Sequence, residues 1–184
     1  VEAWGEGISD LDEWIYEANE DAFSEAGQEL SLLLAEALLS MDLAPEQRKQ
    51  WYARAEAWED GIDLEILETA LDDWWDYPPL VAAMQGNIGE KGAWAGEAPY
   101  FADELTLARL RILQRQGRIE EYVHLAEAEG QTSLYINMLA RSGQVERAVA
   151  EAQQYLALPG EALSLAQVLV EQGAPAAALT VAAF

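Results

Sequence analysis

Three observations predict an all-α fold, with antiparallel helix pairs stacked as an α-solenoid of about nine to ten helices. Ala and Leu dominate the chain, and strand-like runs of β-branched residues are scarce. Apolar residues recur at i, i+3, i+4 and i+7, the stripe of an amphipathic helix. Three segments, ILQRQG (112–117), MLARSG (138–143) and VLVEQG (168–173), close on glycine in matching apolar frames.

Residues 8–23, ISDLDEWIYEANEDAF, supply the first helical pattern, using Ile8, Leu11, Trp14 or Ile15, and Ala18. The second, SEAGQELSLLLAEALLSMDL (24–43), is predicted to be capped by Ser24 and to bury Leu30, Leu33, Leu34, Ala37, Leu38 and Met41. APEQRKQWYARAEAWEDG (44–61) starts near Pro45 and ends at Gly61, with Trp51, Ala55 and Trp58 on one side. DLEILETALDDWWDY (63–77) carries Leu64, Leu67, Leu71 and Trp74 or Trp75 inward before Pro78 and Pro79 stop it. QGNIGEKGAWAGEAPYF (85–101) has too many Gly and Pro for regular structure. A connection of that length is either packed by Ile88, Trp94 and Tyr100 or a mobile insert.

From residue 104 onward the pattern repeats. Aligned on Gly117, Gly143 and Gly173, the position four earlier is always Leu (Leu113, Leu139, Leu169). After the glycine come Ile119, Tyr122, Val123 and Ala126, then Val145, Ala148, Val149 and Ala152, then Ala178, Leu179 and Ala182 behind Pro175. Each unit reads as helix, Gly turn, helix, because Gly enters the left-handed conformation that closes a helix without a Cβ penalty. Such pairs cannot bury both faces alone, so they stack. The organisation predicted is an acidic helical block over 1–77, a Gly/Pro-rich loop or insert over 78–103, and helix-turn-helix repeats over 104–184. One continuous solenoid accounts for all three. The chain opens on Val1 and closes on Phe184 inside an apolar helical pattern, which predicts a piece of a longer protein.

Composition narrows the functional classes. The chain has 184 residues, no Cys and one His, so it has no thiolate metal site, disulfide or cysteine nucleophile. The expected compartment is the cytoplasm. No run of about 18 apolar residues and no signal pattern appears, so no membrane association is expected. The net charge is -24, carried mostly by residues 1–76, with 22 Asp/Glu against Arg48, Lys49 and Arg54. Such a surface repels phosphate backbones, so direct nucleic-acid binding is not expected. An acidic dock for a basic protein remains, as does an acidic mimic of nucleic acid.

Few constellations promise chemistry. Glu121 and His124 have the Glu-x-x-His spacing of a di-metal bundle, but such a site needs a second histidine. GNIGEKG departs from the phosphate-loop spacing, and Gly92 stands where Ser or Thr is required. Asp10 and Asp12 lack the Gly and Glu of a calcium loop. Carboxylate pairs such as Asp72/Asp73/Asp76 and Glu120/Glu121 lack the apolar pocket that would tune an acid and a base. An enzyme using carboxylates and His124 in a helical groove is the alternative to a non-enzymatic scaffold. Trp74, Trp75 and Tyr77 with Asp72, Asp73 and Asp76 are the candidate partner-binding cluster, weighed against a role as a packing anchor.

GRIEEYVHLAE, GQVERAVAEAQQYLALPG and GAPAAALTVAA resemble the second helix of tetratricopeptide-like repeats, with Ala148 and Ala178 at the small position and Pro159 at the terminal one. Tyr122 departs from that pattern, and the family's first-helix Trp and Gly are missing. ALLSMDLAPEQRKQWYARAEAWED, ALDDWWDYPPL and HLAEAEGQTSLYINMLARSGQVERAVAEA resemble the helical C-terminal region of bacterial SWIM zinc-finger proteins. That resemblance implies a Cys/His zinc module outside this chain, no cofactor within it, and a scaffold whose partner is a protein, a basic one on charge grounds.

Overall fold

The structure, a computed structural model, describes residues 26–58 and 64–183. The expected helix over 8–23, the Ser24 cap and the Gly61 stop lie outside the described residues. Among the described residues the regular elements are helices, with one isolated bridge between Gly89 and Gly92. The chain divides between Trp74 and Trp75 into two compact units.

The first unit holds α1 (26–39), α2 (Pro45–Glu56) and α3 (Glu65–Asp72). Pro45 opens α2, where its missing N–H is one the first turn would leave unpaired anyway. The Ala44 N–H donates to Gln47 Oε1 at 2.9 Å, which closes that end. In α3, Ile66, Leu67, Ala70 and Leu71 are buried, and Leu64 and Trp74 flank them inside the same unit.

The buried stripe of α1 differs from the predicted one. Ser31, Ala35, Leu38 and Leu39 are buried, while Leu30 and Met41 are exposed and Leu33 is 67% exposed. The helix is therefore turned by about one residue step, roughly 100°, from the face that leucine count alone selects. On that stripe a hydrogen bond joins the helix to α3: Leu67 N–H donates to Ser31 Oγ at 3.0 Å, in a buried position. Leu67 is the third residue of α3, and Leu64 before that helix has no side-chain acceptor. Ser31 thus supplies from another helix the acceptor that an N-cap side chain normally provides.

The second unit holds α4 (Pro78–Met84), α5 (Ala102–Arg115), α6 (Ile119–Ala128), α7 (Thr132–Arg141), α8 (Val145–Tyr155), α9 (Pro159–Glu171) and α10 (Pro175–Val181). The stretch 78–103 thus opens with a helix, and the irregular part runs from 85 to 101. Pro78 and Pro79 begin α4 instead of merely stopping α3, which has already ended at Asp72. Helices α5, α6 and α7 each pack on the next in sequence, and α9 packs on α10. In addition α4 packs on α6, α7 on α9, and α8 on α10. One apolar cluster runs from Leu80 of α4 to Val181 of α10.

A single turn joins most of these helices. Gly117, Gly130, Gly143 and Gly173 have φ between 67° and 83°. The residue after each glycine donates its N–H back to the carbonyl five positions earlier: Arg118 to Leu113 at 2.9 Å, Gln131 to Ala126 at 2.8 Å, Gln144 to Leu139 at 2.9 Å, and Ala174 to Leu169 at 2.8 Å. This is the Schellman closure. It explains the invariant Leu of the three aligned segments, whose carbonyl is the acceptor and whose side chain is fully buried. The same residue after the glycine then opens the next helix, as Arg118, Gln131, Gln144 and Ala174 do. Gly130 adds a turn that the alignment on 117, 143 and 173 omits, because Ala126 replaces the marker Leu. Through α5 to α8 the recurring unit is therefore one helix and one turn.

Candidate functional site

The expected cluster at 72–77 is divided between the two units. In the first, Trp74 is buried and its ring lies 5.5 Å beneath the Arg48 guanidinium, while Asp72 is exposed and Asp73 half-buried. In the second, Trp75 lies 5.1 Å beneath Arg118, and the Tyr77 hydroxyl accepts the Ala95 N–H at 2.9 Å. Both rings pack against the apolar cluster of that unit, and Asp76 is exposed. All three rings thus take part in internal packing.

His124 and Glu121 point to separate partners. The His124 Nδ1–H donates to the Met84 carbonyl at 3.0 Å, at the C-terminal end of α4. That carbonyl fixes which ring nitrogen carries the proton. Glu121 accepts from Arg118 Nε at 2.9 Å and pairs with its terminal nitrogen as well. Among the described residues no three His, Asp or Glu side chains converge.

The 85–101 loop is pinned by Glu129, at the end of α6. Its Oε1 accepts the Ala93 N–H at 2.6 Å and its Oε2 accepts the Trp94 indole N–H at 2.8 Å, with the Thr106 hydroxyl at 3.3 Å. Trp94 and Phe101 are buried, whereas Ile88 and Tyr100 are exposed. Trp94 alone of the three expected anchors therefore packs the loop. Its ring sits 5.7 Å beneath Arg109, itself buried. Gly92 allows this close approach: a Cβ there would meet the Ala128 carbonyl at 2.9 Å and collide with the Glu129 carboxylate.

A polar groove that sequence reading did not single out lies against α6, α7 and α8. Ala126, Glu127, Thr132, Tyr135, Glu151 and Tyr155 line it. Arg147 donates to the Tyr135 hydroxyl at 2.7 Å, lies 3.7 Å from Glu127 and 4.0 Å from Glu151, and sits 5.5 Å over the Tyr135 ring. Burial pushes the Tyr135 hydroxyl pKa up, Glu127 and Glu151 add to that, and Arg147 opposes it. The phenol therefore stays protonated as a neutral hydrogen-bonding group, and two carboxylates face a single guanidinium. Such a surface suits a cationic side chain better than it suits proton transfer. No spacing in the sequence links Glu127, Tyr135, Arg147 and Glu151, which stand at unrelated distances after the turn glycines 117, 130 and 143.

No family model, curated protein or solved structure matches this chain.

Proposed function

We propose that this chain is a non-enzymatic helical-repeat scaffold, its antiparallel helix pairs stacked as a tetratricopeptide-like α-solenoid, which binds a basic segment of a protein partner. The observation that carries the reading is the recurrence of one Gly turn through α5 to α8, with helices packing on sequence neighbours and on next-but-one helices. Repeats built this way present extended faces instead of a closed pocket. The groove lined by Glu127, Tyr135, Glu151 and Tyr155 is the proposed contact. Two carboxylates around Arg147 give it a negative balance that agrees with the chain's charge of -24. Asp72, exposed in the first unit, and Asp76, exposed in the second, are further candidate contacts for a basic partner, each within its own unit.

The resemblance to the C-terminal region of SWIM zinc-finger proteins stands as a proposal for its origin, in which the zinc module belongs to another part of the parent protein.

Selection of a random peptide library against the chain tests the function. Basic peptides are expected to be enriched. Glu127→Gln with Glu151→Gln is expected to weaken the selected peptides by roughly 5- to 50-fold, the scale of one or two charge-assisted contacts. Enrichment without a basic bias, or affinity indifferent to both variants, would sink the reading.

A further inference from the structure

The polar groove against α6, α7 and α8 already holds one guanidinium, that of Arg147, and the acceptors around it are arranged nitrogen by nitrogen. Its Nε faces Glu151 Oε1 at 4.0 Å. One terminal nitrogen donates to the Tyr135 hydroxyl at 2.7 Å and faces Glu127 Oε2 at 3.7 Å. The other reaches Gln144 Oε1 at 3.5 Å. These acceptors come from α6, α7, α8 and the residue that opens α8, and together they surround a planar fork. A guanidinium matches that layout with N–H groups spread in one plane, whereas an ammonium is a compact point charge.

Arg147 fills this place loosely. Both carboxylates lie beyond hydrogen-bond reach of it. Its side chain is 44% exposed, and ion pairs in such a setting contribute little. Arg147 also precedes Glu151 by four residues, the weaker order for a pair along a helix. The open space of the groove, about 280 Å3, has Thr132 and Tyr155 among its walls. The Tyr135 ring is buried beneath Arg147, but Tyr155 is exposed and offers a second ring on which a planar cation can stack. Two carboxylates against one guanidinium leave a negative charge that a second cation would balance.

We propose that Arg147 is the groove's own occupant, and that the partner inserts an arginine side chain at Glu127 and Glu151, displacing Arg147 toward solvent. The inference rests on the reading of this groove as the site of a basic segment; it adds which cation is selected and what that cation displaces. The incoming fork hydrogen-bonds the two carboxylates that Arg147 only approaches. Lysine, more strongly hydrated and without the fork, is the poorer ligand. Arg147 thereby competes with every cation that enters.

Fluorescence anisotropy with two labelled peptides of equal charge, one alternating Arg with Gly and the other Lys with Gly, tests this on the whole chain in roughly 50 mM salt. The arginine peptide is expected to bind at least about fivefold tighter than the lysine peptide. Arg147→Gln, with its helical circular dichroism intact, is expected to tighten the arginine peptide by about three- to tenfold. Arg147→Lys, which keeps the charge and loses the fork, should tighten it less. The preference should vanish when Glu127→Gln and Glu151→Gln are combined. Glu146→Gln removes one exposed charge of α8 outside the groove and should leave both affinities within about twofold. Equal affinities for the two peptides, lost together with the two carboxylates, overturn the arginine assignment and leave the basic-partner reading standing. A preference that survives loss of both carboxylates overturns it as well. Weaker binding in both Arg147 variants makes Arg147 a support of the site and overturns the displacement. If neither peptide binds, the reading and the inference fall together.

Discussion

Removing the Ser31 hydroxyl leaves the Leu67 N–H in a buried place without its acceptor. Ser31→Ala is therefore expected to lower the unfolding free energy by about 1–3 kcal/mol, as read by urea denaturation. Ser31→Thr, which keeps the hydroxyl, should recover part of the loss. Glu129 is the corresponding residue of the second unit, since one carboxylate serves the Ala93 N–H, the Trp94 indole and the Thr106 hydroxyl. Glu129→Ala is expected to cost about 2–4 kcal/mol and to shift Trp94 emission to the red as the loop loosens. Tyr122 and Tyr135 set the alkaline limit. Burial, first among the causes, raises both phenols above their ordinary value, and Arg141 or Arg147 opposes it. The unfolded chain then loses these protons first as pH rises past about 10. Their contribution is complete below that pH and falls away as pH climbs toward the folded values. Thermal melts between about pH 9 and pH 11 should show the decline, and Tyr122→Phe should reduce it.

The two-residue Gly turn is the element that organises the second unit, and its conformation tolerates little else. With φ at +67° and no neighbour near its missing side chain, Gly130 is a clean test of backbone strain without steric clash. Gly130→Ala is expected to cost about 1–2 kcal/mol, measured by chemical denaturation. Its helices were legible because their signals are local. Prolines at 45 and 175 mark true helix starts, and the glycines at 117, 143 and 173 mark true ends, whereas Pro159, read as the end of a repeat unit, opens α9. Pro78 and Pro79 carry the same local information, yet α3 already ends at Asp72 and they open a helix of their own. The face each helix buries was less legible. In α1 apolar residues occur on nearly every side, and composition alone cannot choose among them. Glu127, Tyr135, Arg147 and Glu151 were equally hidden, because their meeting depends on how three helices pack.

Across the whole molecule the net charge is the dominant long-range term. Like charges at a density of 22 acids in the first 76 residues repel one another at low ionic strength. Raising salt from about 20 mM to about 200 mM shortens the Debye length several-fold and is expected to raise the melting temperature. A melting temperature that fell with salt would instead point to stabilising ion pairs outweighing the repulsion. The sequence by itself determined that the described chain is helical, where most helices of the second unit turn, and that its net charge is strongly negative. These follow from hydrogen bonds within a few residues and from composition. Only the tertiary structure decided that Ser31 faces inward, that Trp74, Trp75 and Tyr77 are packing rings, and that Glu129 ties down the long loop. Each depends on which distant segment arrives at that surface, and a helical period repeats the same faces without saying which will be met.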